Sequence, residues 1–124
     1  LALLGAVGGC GGGGGDGSSA EPGFLDLTLN TPNADDGALL FKVVGGTVDS
    51  VVAGAMVQDG SYAAVTGGTR IVVAGNLTDG IVARVHVPDV NDAGDYSVVI
   101  EQVAVRNTFT QRSLTGYSMA VSAP

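Results

Sequence analysis

From Phe24 onward apolar residues recur at every second position. Leu25, Leu27 and Leu29 alternate with Phe24, Asp26 and Thr28, and Leu39, Phe41 and Val43 with Leu40, Lys42 and Val44. Ile81, Ala83, Val85 and Val87 alternate with Val82, Arg84 and His86, and Tyr117, Met119 and Val121 with Ser118, Ala120 and Ser122. A period of two, rich in β-branched residues, turns one face of an extended strand toward a core. No long stretch has a helical period with caps. Asp36-Gly37, Gly45-Gly46, Asp59-Gly60, Gly67-Gly68 and Asp79-Gly80 read as turn dipeptides. Together these signals predict strands over 24–29, 38–44, 47–52, 55–58, 61–65, 69–75, 81–87, 96–105 and 117–123. The fold class is all-β, an antiparallel β-sandwich of about nine strands over residues 24–124.

One strand slips phase. Tyr96, Val98 and Ile100 share a face, yet the next apolar pair is Val103 and Val105. A β-bulge at Glu101-Gln102 would return both sets to the core. A strand buried on both faces around Val98–Ile100 is the alternative. The bulge is favoured.

Composition divides the chain. Ten of its 21 glycines fall within the first 23 of 124 residues, and the other 11 punctuate the strands. Leu1–Gly9 is apolar and small, too short for a bilayer of about 30 Å, and fits the end of a signal-peptide apolar region. The chain opens on Leu rather than Met, which places the expected start codon upstream. Val7-Gly8-Gly9-Cys10 resembles the lipobox of bacterial lipoproteins: an aliphatic residue, two small residues, then cysteine. The resemblance implies cleavage before Cys10 and diacylglycerol on its sulfur. Two or more acyl chains anchor stably, since each buried CH2 contributes about 0.8 kcal/mol. Cys10 is the only cysteine, so no disulfide competes for it. Residues 10–23 then form a flexible, disordered Gly/Ser-rich tether. The glycines are no phosphate loop, because no Lys-Ser/Thr pair follows them. The resemblance places the domain at the bacterial envelope, lipid-anchored, with the outer membrane or cell surface favoured because Gly11, not Asp, follows Cys10.

The run Asp79–Pro88, followed by Ala93–Val105, resembles the later half of cohesin-type domains. There a Gly-led apolar strand ends in a polar loop before a longer strand. The resemblance implies a sandwich that binds a protein partner. A generic immunoglobulin-like sandwich competes with it, and the short connection 30–37 departs from the cohesin pattern.

Charge and residue types narrow the chemistry. Twelve acidic and five scattered basic residues give a net charge of −7, which argues against nucleic acid. His86, the only histidine, falls on the face opposite Val85 and Val87, beside Arg84, where a surface role is the default. No nucleophile elbow accompanies it. One His and one distant Cys cannot close a zinc site. Asp89, Asn91, Asp92 and Asp95 in one loop, and Asn33, Asp35 and Asp36 in another, could offer oxygens to calcium. Asp and Asn are equally what turns favour, and no metal is assigned. Glu101 is the only Glu beyond the tether, so no glycosidase pair stands out. No cofactor motif is present, and the protein is expected to be non-catalytic.

A binding role remains. The segment 106–115 is the longest polar, non-periodic stretch and carries Arg106, Phe109 and Arg112 between strong strands. Arginine and aromatic residues are favoured interface anchors, although a plain crossover loop has the same composition. The leading expectation is a membrane-anchored lipoprotein whose sandwich is an interaction or structural module for an envelope protein or polysaccharide. A carbohydrate-binding module is the alternative. It would draw on Tyr62, Phe109 and Phe24, because Tyr96 and Tyr117 fall in core phase.

Overall fold

A computed structural model describes residues 19–124. The leader, Cys10 and most of the tether lie outside the described residues. Nine strands follow in order: β1 (Gly23–Asn30), β2 (Asp36–Val44), β3 (Ser50–Ala53), β4 (Val57–Val65), β5 (Gly68–Leu77), β6 (Gly80–Val87), β7 (Ser97–Val105), β8 (Gln111–Arg112) and β9 (Ser118–Ser122). A 3-10 turn, Val90–Asp95, lies between β6 and β7. The strands form two antiparallel sheets, ordered β3-β6-β1-β9 and β4-β5-β2-β7-β8. Only the β4–β5 and β7–β8 connections stay within a sheet. The domain is thus the nine-stranded sandwich that the alternation predicts.

The inward phase of each central strand builds the core. Leu25, Leu27 and Leu29 of β1 meet Leu39, Phe41 and Val43 of β2 across the gap between sheets, and all six are buried. Ile71 and Val73 of β5, Val85 and Val87 of β6, and Val103 of β7 complete it. Burying each such side chain contributes roughly 1.5–3 kcal/mol.

Bulges decide which residues reach this core. In the β2–β7 ladder Leu40 pairs with Gln102 and Phe41 with Ile100, leaving Glu101 as the extra residue. The slip returns Val103 to the core alongside Tyr96. Glu101 turns to the outer face, where its carboxylate accepts two hydrogen bonds from Arg70, at 2.7 and 3.0 Å. That pair holds the Glu101 carboxyl below its ordinary pKa.

Other bulges correct the sequence expectations. Between β1 and β6, Leu27 pairs with Ala83 but Thr28 with Ile81. Val82 is the extra residue, and it is buried in place of Ile81. Asp59-Gly60 makes no turn. The predicted strands 55–58 and 61–65 are one strand, β4, and the irregularity is a bulge between Val57 and Asp59. Asp36-Gly37 likewise opens β2 instead of preceding it, with a register shift between Asp36 and Ala38 against both neighbours. A Cβ on Gly37 would stand 2.6 Å from the Arg106 Cα, so only glycine lets the two backbones approach this closely. The predicted strand 47–52 shrinks to β3, and β8 appears inside the segment read as a loop.

Candidate binding surface

The two ends of the sandwich differ. At one end Glu21, just before β1, donates its N–H to the Asp89 carboxylate at 3.1 Å and accepts from the Val90 N–H at 2.9 Å. The chain therefore enters the domain beside the 3-10 turn. Asp89 also caps that turn, accepting from the Asn91 backbone and side chain. These bonds hold its carboxyl below the ordinary value. Tyr96 closes the same end. Its hydroxyl donates to the Thr47 carbonyl at 2.6 Å, and burial, followed by the neighbouring aspartates, pushes the phenol pKa up. Among the described residues no group of His, Cys, Asp or Glu converges as a metal site requires.

The far end, about 25 Å away along the eight residues of β1, holds the segment singled out in the sequence. Residues 106–110 link β7 to β8. The Val105 N–H donates to the Thr110 carbonyl at 2.9 Å and the Phe109 N–H to the Val105 carbonyl at 2.8 Å. Closing so tight a loop forces Asn107 to φ 74° and Phe109 to φ 54°. Asn tolerates this region, but a bulky aromatic rarely does. Such strain costs of order 1–3 kcal/mol. The Phe109 ring is nonetheless 59% exposed.

Arg106, Phe109 and Arg112 share this hairpin, but they do different things. Arg112 lies underneath. Its Nη1 donates to Asp35 and to Asp36, each at 2.9 Å. Asp36 is fully buried and also accepts from the Tyr117 hydroxyl at 2.6 Å and from Thr31. Asn33 donates to the Tyr117 oxygen at 2.8 Å. The Arg112 guanidinium beside Asp35 lowers that carboxyl below its ordinary value, and the arginine's own pKa is raised. Arg106 is also drawn inward. Its backbone N–H donates to Asp35 O at 2.7 Å and its guanidinium to Ala34 O at 3.1 Å, while its Nε is buried without a partner. Both arginines fasten the loop 31–35 to the hairpin, which leaves Phe109 as the side chain free for contact.

Beside Phe109 lies a depression of about 250 Å³ on the outer face of the five-stranded sheet, lined by Ala38, Leu40, Val72, Gln102, Ala104 and Gln111. Sequence reasoning missed these residues. The signal was present: Ala38–Phe41 and Ile71–Ala74 are apolar in both phases, and the outward phase is left uncovered. Phe24 and Tyr62 are elsewhere. Phe24 meets His86 edge-on at 5.0 Å on the four-stranded sheet, with the His86 Nδ1 3.2 Å from Asp49, and Tyr62 stands on β4. The three rings thus occupy three separate surfaces.

No helix among the described residues is long and apolar enough to cross a membrane. Comparison with protein-family models, with curated proteins and with solved structures found no match to this chain.

Proposed function

We propose that this protein is a lipid-anchored module of the bacterial envelope that binds a protein partner, without catalysis, through Phe109 and the apolar depression beside it. One observation carries the reading. A strained, exposed Phe109 stands at the end of the sandwich opposite the entry of the chain from the tether. A domain tied at Cys10 through residues 11–20 would present that end away from the bilayer. Backbone strain that holds an aromatic ring in solvent adds nothing to packing and suits a contact surface. The depression is lined mostly by Ala, Leu and Val, with Gln102 and Gln111 as its polar members and no charged residue, so it fits an apolar side chain of a partner better than a charged one. The lipobox resemblance at Val7–Cys10 supports the anchor, and rings on three separate surfaces offer a sugar no shared platform.

The test has two parts. Expressed with a complete leader, the chain should incorporate labelled palmitate and fractionate with membranes, and Cys10→Ser should lose both. Pull-down from envelope extract should recover a protein that Phe109→Ser loses, with the circular dichroism spectrum unchanged. Membrane association unaffected by Cys10→Ser would overturn the anchor. Binding unaffected by Phe109→Ser, or binding to a glycan array instead, would overturn the surface.

A further inference from the structure

The flank formed by β3 and β4 is built differently from the rest of the sandwich. The five-stranded sheet overhangs the four-stranded one there, because β3 is four residues long and β4 is nine. Beneath the overhang lies a cleft of about 320 Å³, lined by Val51, Ala53, Tyr62, Ile71, Val73 and Ala83. Tyr62 stands at its mouth, 49% exposed.

The outer edge of β4 has no partner among the described residues. Its free groups follow from the β4–β5 hairpin. Val65 pairs with Gly68 across a two-residue turn, Ala63 with Arg70 and Ser61 with Val72. The flanking pair of such a hairpin is hydrogen-bonded, and bonded pairs then alternate with non-bonded ones. Gly60, Tyr62 and Ala64 therefore direct their N–H and C=O groups outward. The other edge strands are shorter: β3 has four residues, β8 two and β9 five. Free edges are normally blunted by lysine, proline or inward charge. Along β4 the only charge is Asp59, at one end.

We propose that β4 is a homotypic pairing edge, at which two copies of this chain join their five-stranded sheets antiparallel about a two-fold axis at Tyr62. In this register Tyr62 of one copy faces Tyr62 of the other, Gly60 faces Ala64, and Asp59 faces Val65. The outward groups of Gly60, Tyr62 and Ala64 then all find partners. The two Asp59 carboxylates lie about 20 Å apart, at roughly 3.3 Å per residue, beyond the Debye length at physiological salt. Charge also favours a second copy. Residues 50–77 carry one Asp and one Arg, a locally neutral stretch in a chain of net charge −7. Two identical acidic molecules meet here with the least repulsion. The apposed Tyr62 rings would cover the cleft mouths.

Sedimentation of the full chain carrying Cys10→Ser, from micromolar to millimolar concentration, should show monomer passing to dimer. Tyr62→Lys and Ala64→Lys should each weaken the dimer at least tenfold while leaving the melting temperature of the monomer in place. A third variant fixes the register. In the Cys10→Ser background, Tyr62→Cys should form an intermolecular disulfide under mild oxidation, since paired Cα atoms would lie about 5.5 Å apart. Gly60→Cys, facing Ala64, should not. A monomer throughout the range, a dimer indifferent to Tyr62→Lys, or equal cross-linking at positions 60 and 62 would overturn the proposal.

Discussion

The two flanks of the sandwich close by opposite means. On one, β7 and β9 lie against each other, and the buried Asp36 gathers Thr31, Arg112 and Tyr117 from three chain segments. On the other, β3 and β4 leave an apolar cleft and a bare strand edge. The first flank is held by polar groups that must all be present together, because an unpaired buried carboxylate costs far more than a paired one gains. The second is held by the β4–β5 hairpin and little else. Cohesion on one side and availability on the other separate the flank that sets stability from the flank whose strand backbone is left unpaired.

The largest test of that contrast is Asp36→Ala. It removes the buried acceptor shared by Arg112, Tyr117 and Thr31, leaving Arg112 with Asp35 as its one carboxylate partner, and should cost about 3 kcal/mol, or roughly 10–20 °C in melting temperature. Ala64→Lys on the open flank should stay within about 0.5 kcal/mol of the parent. Thermal melts of both variants, side by side, would break the comparison if the two losses were equal. Amide exchange sharpens it next. Leu39 and Phe41, central in their sheet, should exchange only on global unfolding, whereas Gly60, Tyr62 and Ala64 of the monomer should exchange at least about 100-fold faster. A smaller effect is expected at Phe109. Phe109→Gly releases the left-handed strain and loses little packing, so the melting temperature should hold or rise by a few degrees while partner binding disappears.

Acid should give the smallest effect. Asp35, Asp89 and Glu101 all have lowered carboxyl pKa values, from hydrogen bonds to Arg112, to the Asn91 and Glu21 backbone, and to Arg70 respectively. A carboxyl stabilised as its anion contributes fully above its unfolded pKa and loses that contribution as pH falls through the folded one. Stability should therefore be flat above about pH 5 and decline below about pH 4. None of the three residues lies on β3 or β4. Melting curves across pH 2–6 that rise on acidification would contradict this assignment.

The same contrast explains what could be read from the chain. Strand faces were legible wherever one face is buried and the other wet, as in Leu25–Leu29 and Leu39–Val43, because alternation is then enforced by solvent. The phase slip at Glu101-Gln102 was legible because two apolar sets had to reach one core. Glycine was ambiguous. Gly67, at φ 83°, makes a turn, but Gly37 and Gly60 lie in strands next to register shifts, and local sequence does not distinguish a glycine that bends the chain from one that admits a neighbouring backbone. The surface around Phe109 was half legible. The hairpin stood out by composition, but the inward pull on Arg106 depends on the Ala34 carbonyl and that on Arg112 on the Asp35 and Asp36 carboxylates, all more than 70 residues away in the chain. No local pattern announces such a pairing.

The order of strands has a kinetic consequence. Almost every connection carries the chain from one sheet to the other, so the inner strands of each sheet find their neighbours only after distant segments have arrived. The β4–β5 and β7–β8 hairpins are the pieces that can form locally, and both lie at the edge of the larger sheet. The centre of the molecule must then assemble in one concerted step, at a rate slow for its size. A nascent chain would carry its least protected edge, β4, in nearly finished form before the β1–β9 pairing is complete.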